Sequence, residues 1–352
     1  MKNSNIKYFF ASNSADGFVS FFKNCYNPFD GWSCGIIKGG PGSGKSSFMK
    51  RLLKYSKRPT LCYCGSDPDS LDAVLIPEKK LALLDGTSPH TQEPFLPGVS
   101  EEILNFGEFW DKAKIKENRE EIISLTLKNK QELAAASEYL KASGILLRKS
   151  LNFAKSVTDH NKCRKTALAL AKRHIKSSGE KAGVEHRFLG GVTPKGVVYF
   201  GDTISLESDT QVIISDYSGA VADCIFNILK EYALEKNHHI ILLHNPILPE
   251  ILDGIIIPRL KLSFIREYDF LKLPLKNRRI HETRFIEKNS LPEVKAELKQ
   301  NKKEAIRLLN LGIATLKSAK AIHDDLEHFY IKAMDFSKLE SFAEEFIKDN
   351  LL

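Results

Sequence analysis

The chain has 352 residues, 42% of them hydrophobic and 27% charged, with a formal net charge of +8. These are globular proportions in a chain too long for one small domain, and they exclude a disordered or low-complexity protein. No stretch approaches the roughly 18 apolar residues that cross a bilayer, the segment MKNSNIKYFFASNSADG has no signal-peptide core or cleavage site, and six cysteines without a second cluster make neither a disulfide framework nor a metal site; a cytoplasmic protein with no membrane partner is expected.

An extended piece around 9–19 leads into the apolar strand Cys34-Gly35-Ile36-Ile37. The string Gly39-Gly40-Pro41-Gly42-Ser43-Gly44-Lys45-Ser46 follows and fits G-x-x-x-x-G-K-[ST], with 47–53 continuing as an amphipathic helix. Strand, glycine loop and helix form the setting in which such a string wraps phosphate. Glycines accept positive φ and let successive amides point inward at an anion. The start of the helix adds partial positive charge and free donors. Lys45 can reach the β- and γ-phosphates and the Ser46 hydroxyl can join a Mg²⁺ shell, so Gly39, Gly40, Pro41, Gly42, Ser43, Gly44, Lys45, Ser46 and Ser47 form the expected nucleotide site. The expected ligands are ATP, or another nucleoside triphosphate, and Mg²⁺.

The next strand spans 60–64, where alternation puts Cys62 and Cys64 on one face as buried small hydrophobes. The string CGSDPDSLD opens what reads as a Pro-punctuated loop. Its Asp67, Asp69 and Asp72 fit either a metal-binding role or ordinary turn and N-cap chemistry. A third strand, 81–84, ends on Asp85, the favoured second oxygen ligand for Mg²⁺ and, with Lys45, the expected catalytic pair. Gly86 stands where many P-loop ATPases carry a water-orienting Glu. His90 and Glu93 are the nearby polar substitutes, and slow or partner-dependent hydrolysis is expected.

A helical extension covers about 100–180, with Ile122, Ile123, Leu127, Leu133, Leu140, Leu147 and Leu151 at helical spacing. Between Lys141 and Lys176 stand ten Lys and Arg against one acid, Asp159. That arm could bind nucleic acid or another acidic partner, or be a solvated or internally paired helix face; Phe153 is its one aromatic residue, so base stacking is absent.

Past a small, polar boundary at 177–184, the chain repeats itself. Residues 188–198 lie over 9–19, Ile213–Leu229 over Ile36–Leu52 without gaps, and Ile247–Pro258 over Ser66–Pro77. Two domains are expected, 1–183 and 184–352, each with strands alternating with helices. The fold class is α/β, two P-loop NTPase-like parallel sheets with helices on both faces, each followed by a long helical hairpin (about 100–180 and about 290–352). Under the loop the second copy has Asp216, Tyr217, Ser218, Gly219, Ala220, Val221, Ala222 and Asp223. Val221 replaces Gly44, Ala222 replaces Lys45, and Asp216 and Asp223 put carboxylates where phosphate oxygens would sit. No triphosphate is expected there, and the copy reads as structural or regulatory. Arg278, Arg279, His281 and Arg284 form a basic loop after its sheet, either solvated or reaching the first site as an arginine finger.

The segments FFASNSADGF, IIKGGPGSGKSSFMK, CGSDPDSLDAVLIP and LALLDGTSPH together make the chain resemble a bacterial family, known mainly from spore-forming Firmicutes, of duplicated P-loop ATP-binding proteins. The resemblance implies a tandem P-loop fold and ATP or GTP binding at Gly39–Ser47. The expected activity is Mg²⁺-dependent NTP binding with hydrolysis by the first copy. A nucleotide-kinase-like phosphotransferase and a non-hydrolysing nucleotide-sensing scaffold are the alternatives.

Overall fold

The computed structural model describes residues 5–89, 91–274, 279–287 and 291–352. The first half runs β1 (Ile6–Tyr8), β2 (Ala11–Ser14), β3 (Gly17–Ser20), β4 (Ser33–Lys38), α1 (Lys45–Arg51), β5 (Thr60–Tyr63), β6 (Leu71–Ile76), β7 (Leu81–Asp85), β8 (Glu101–Asn105), α2 (Lys112–Glu117), α3 (Arg119–Ser156) and α4 (His160–His174). The second runs β9 (Gly183–Phe188), β10 (Gly190–Thr193), β11 (Gly196–Tyr199), α5 (Asp202–Glu207), β12 (Thr210–Ser215), α6 (Ala220–Glu235), β13 (His239–His244), β14 (Leu252–Ile257), β15 (Leu262–Glu267), β16 (Arg279–His281), α7 (Leu291–Lys332) and α8 (Phe336–Leu351).

The halves share one topology. One six-stranded sheet has the order β1-β5-β6-β7-β4-β8 and the other β9-β13-β14-β15-β12-β16, with the same pairing directions throughout. Even the register irregularity recurs, at Cys62/Tyr63 and at Leu243/His244.

The sheets are mixed, which corrects the expectation of parallel sheets. The segment read as a Pro-punctuated loop contains β6, whose six residues are all buried, and β6 runs antiparallel to β5 and β7. The chain length explains the direction. A parallel neighbour needs a crossover of about a dozen residues or more, and the links 64–70 and 77–80 are too short for one. The same holds for β14.

The helices do not lie on both faces of each sheet as expected. Alternation along each strand divides its residues between two cores. Ile36, Cys62, Leu75 and Leu84 share an inner core with Ile213, Leu243, Ile256 and Ile265 of the second sheet. The outward set of the first sheet, including Ile37, Leu61 and Val74, meets α1 and α8; that of the second, including Ile214, Leu242 and Ile255, meets α6 and α4. The extensions are therefore exchanged: α4 covers the second half's sheet and α8 the first's.

The long helices α3 and α7 pack on each other. Asn129 donates to the Ala319 carbonyl at 2.7 Å and Ser143 to Ala305 at 2.8 Å, so the pair is antiparallel. Reciprocal bonds mark an approximate two-fold relation. Phe9 N–H donates to Phe188 O and Phe188 N–H to Phe9 O, both at 2.9 Å, while Asp335 N–H meets Phe109 O at 2.8 Å and Asp159 N–H meets Phe285 O at 2.7 Å. Among the described residues no helix is long and apolar enough to cross a membrane.

Candidate functional site

The glycine-rich loop joins β4 to α1, which continues as a 3-10 turn over Leu52–Tyr55. Gly42 and Gly44 have φ of +64° and +83°, a region glycine enters without steric cost. The loop lies deep for a connection between elements. A Cβ on Gly42 would stand 2.6 Å from Ile331 Cγ1, one on Gly44 2.7 Å from Leu339 Cδ2, and one on Gly40 3.1 Å from the Trp110 ring. Ile331 and Leu339 belong to the second half, so the loop sits at the junction of the two halves.

The Lys45 ammonium turns back on the loop, donating to Gly39 O at 2.8 Å and Gly40 O at 2.9 Å, and lies 3.6 Å from Asp85 Oδ2. Asp85 ends β7, which pairs directly with β4, and its other oxygen accepts from Thr87 N–H at 2.9 Å. Ser46 Oγ accepts from Leu71 N–H at 3.0 Å at the start of β6. The sequence-predicted Lys45 and Asp85 are thus brought together by the pairing of β4 with β7, and Ser46, next to Lys45 in the chain, is anchored on the start of β6. Gly86 has a structural cause: a Cβ there would lie 2.4 Å from Ile36 Cγ2, so no carboxylate fits directly after Asp85.

The other predicted residues are dispersed. Glu93 pairs with Lys38 at 2.7 Å, and His90 lies outside the described residues. Asp67 receives the Ser70 hydroxyl at 2.8 Å and Asp69 N–H at 3.2 Å, turn chemistry, and also faces Lys320 of α7 at 3.7 Å. Asp69 is held by Lys195 at 2.5 Å, and Asp72 is buried on β6. Arg279 is tied to Glu267 at 2.7 Å, and Arg279, His281 and Arg284 occupy β16 and the turn after it, beside the second loop; Arg278 lies outside the described residues.

The charged groups that the second half brings to the first loop come from α7 instead. Glu327 Oε1 accepts the Gly42 N–H at 2.8 Å. One turn earlier, burial holds the His323 imidazole below its ordinary range, and Lys45 and Lys320 act on it in the same direction against Glu327. Neither residue was visible as a site member in the sequence: α7 reads as an ordinary amphipathic helix, and Glu327 meets the loop only through tertiary packing.

In the second half the charges are reversed. Asp216 stands at the Gly39 position, and its carboxylate accepts from Ser218 N–H at 3.1 Å, Gly219 N–H at 2.9 Å and Ala222 N–H at 2.8 Å. The loop's own side chain thus occupies its inward amides. Arg266, at the β15 position that matches Asp85 on β7, donates to the Asp216 and Tyr217 carbonyls at 2.8 and 3.1 Å and lies 3.5 Å from buried Asp253. Burial opposes Asp216 ionisation, yet the bond from Glu282, the Arg266 charge and the amides hold it below the usual carboxylate range. Glu282, buried against it, is pushed up to about 9. Asp223 pairs with Lys155 of α3 at 2.7 Å.

The basic arm divides in two. On α3, Lys141, Arg148, Lys149 and Lys155 all make ion pairs within the chain, Arg148 with both Asp16 and Glu250. On and just past α4, Lys162, Arg164, Lys165, Lys172, Arg173 and Lys176 are exposed and form no ion pair with a described residue. Comparison of the chain with protein-family models, with curated proteins and with solved structures finds no match.

Proposed function

We propose that the first half binds the phosphates of one nucleoside triphosphate, with Mg²⁺, at Gly39–Ser47 and hydrolyses it, and that the second half binds none. The observation that carries the reading is the loop's donor: the N–H of Gly42, one of the loop's two positive-φ glycines, already holds a carboxylate oxygen at 2.8 Å. A site that takes a carboxylate by amide donation has the chemistry to take phosphate. Lys45 would exchange two carbonyls for the β- and γ-phosphates, a change from neutral to charged acceptors.

The residues also fit a magnesium ion. Ser46 Oγ and Asp85 supply hard oxygen donors beside Lys45. Bound there, Mg²⁺ would neutralise charge developing on the phosphates. With glycine after Asp85, this half lacks a water-orienting carboxylate at that position, and turnover is expected to be slow or to depend on a partner. The resemblance to duplicated P-loop ATP-binding proteins supports the same reading from sequence.

Calorimetry with MgATP and MgGTP tests it. Wild type should bind one nucleotide per chain, Lys45→Ala should lose tight binding, and Ala222→Lys should add no second site, because Asp216 still fills the amides. Uptake of two nucleotides per wild-type chain would refute the second-half assignment, and uptake of none the first. Product analysis then separates the chemistry: free phosphate marks hydrolysis, a phosphorylated acceptor a phosphotransferase, and binding without turnover a sensor.

A further inference from the structure

The Glu327 contact has no counterpart in the two-fold-related half. Trp110 bridges Met334, and Thr158 bridges Ile286, at matching positions of the two copies. That register puts Leu151 of α3 where α7 has Glu327, and Lys155 where α7 has Ile331. Leu151 is a buried core residue, and the second loop draws its carboxylate from its own Asp216. The packing of the extension therefore does not itself require an acid at 327. In each half a carboxylate sits on the amide of the loop's central glycine. In the second half it is built into the loop; in the first it comes from the other half of the chain.

The surroundings make this contact a closure. Glu327 Cγ and its carbonyl oxygen, with Ile331, pack on Gly42, while Tyr330 and Trp110 pack on Gly40 with their ring centroids 5.4 Å apart. The Trp110 indole nitrogen is sealed from solvent and has no hydrogen-bond partner among the described residues. A phosphate wrapped by the Gly42 amide must take the volume that Glu327 and Ile331 hold.

We propose that Glu327 is a resident anion that competes with the nucleotide phosphates, so that the C-terminal end of α7 gates the site from the second half. The inference rests on the triphosphate reading above. Phosphate displaces the carboxylate from Gly42, the last turns of α7 withdraw, and the movement passes into α3, which packs along α7, and into α8, which begins four residues after α7 ends. Nucleotide occupancy of one half is thereby coupled to the arrangement of the other.

The test compares wild type, Glu327→Gln and Glu327→Ala for MgATP, MgADP and inorganic pyrophosphate. It uses calorimetry together with Trp110 fluorescence in a Trp32→Phe background, Trp32 being the only other tryptophan. Both variants should bind all three ligands about tenfold more tightly or better, because a charge-assisted hydrogen bond no longer has to be displaced. The wild type should show a Trp110 signal change on binding, since Tyr330 leaves the ring. Thermal unfolding checks that each variant is folded; Glu327→Asp, one methylene shorter, should also tighten binding and replaces any variant that does not fold. Equal affinities overturn the gate and leave the nucleotide site standing. Weaker binding in the variants overturns it too and makes Glu327 a supporting residue. Binding to none of the proteins removes the site and the gate together.

Discussion

Lys45 with Asp85, and Asp216 with Arg266, are loop-to-strand pairs of opposite polarity: Arg266 matches Asp85 in strand register, while Asp216 stands at the Gly39 position and Ala222 at that of Lys45. In the first half the loop carries the cation and the neighbouring strand the acid, 3.6 Å apart. In the second the loop carries the acid and the strand the cation, which bonds the Asp216 main chain at 2.8 Å. Each arrangement offsets a charge held away from water, but in the second the acid also occupies the loop's own amides. Glu282 follows from the second arrangement. Burial, then Asp216, raise it from 4.5 to about 9, so between those values the folded chain holds a proton that the unfolded chain has released. A folded-state pKa raised in this way means stability that is complete below pH 4.5 and declines as pH rises toward 9, at up to about 1.4 kcal/mol per pH unit. Glu282→Gln should remove that slope, so urea unfolding at pH 6, 7.5 and 9 should show wild type losing stability faster than the variant. Parallel pH profiles would mean that Glu282 does not hold the proton. The loop residues were legible in the sequence because their spacing is local. Arg266 and Glu327 were not, since one is recognised only by strand register and the other only by packing between halves.

At the scale of elements, the strands written as continuous apolar runs, β4, β5, β7 and their counterparts, were readable, and β6 was not. Leu71–Ile76 is interrupted only by Asp72, yet the prolines on either side suggested a loop, and periodicity says nothing about strand direction. The helical stripe was half right. Leu140 and Leu151 are buried in one cluster with Leu309 and Leu316 of α7, whereas Ile123, Leu127 and Leu133 are exposed. The amphipathic α8 takes its place through aromatic packing: Phe346 lies 5.4 Å from Phe48 of α1 and 6.2 Å from Phe342, ring to ring. Phe346→Ala should cost about 3–5 kcal/mol in chemical unfolding, the range for deleting a buried aromatic ring. The control is Phe336→Ala at the start of the same helix; Phe336 is 45% exposed, and its loss should stay under about 1 kcal/mol. If Phe346→Ala cost no more than the control, α8 would not be part of the first half's core.

The whole molecule is two copies that cannot be separated cleanly, since each sheet takes part of its outer cover from the other copy's extension and packs its inner face on the other sheet. Residues 1–183 and 184–352, expressed singly, should each fail to unfold cooperatively, because Phe48, Met49 and Leu52 lose α8 and Ile225, Phe226 and Leu229 lose α4. Expressed together they should co-purify as a folded pair. A cooperative melt from either piece alone would contradict the exchanged packing. The sequence disclosed the repeat but not the exchange, since nothing in the pattern of an amphipathic helix says which sheet it will cover.

The reciprocal bonds between Phe9 and Phe188 are those that two identical chains would form across a dimer axis. In such a dimer every substitution occurs twice, and a carboxylate that fills one loop fills both. Tying the partners into one polypeptide removes that constraint. One loop can then be filled by its own Asp216 while its twin takes a carboxylate from the other half, Glu327, and the junction between them acquires a direction that a symmetric pair cannot have.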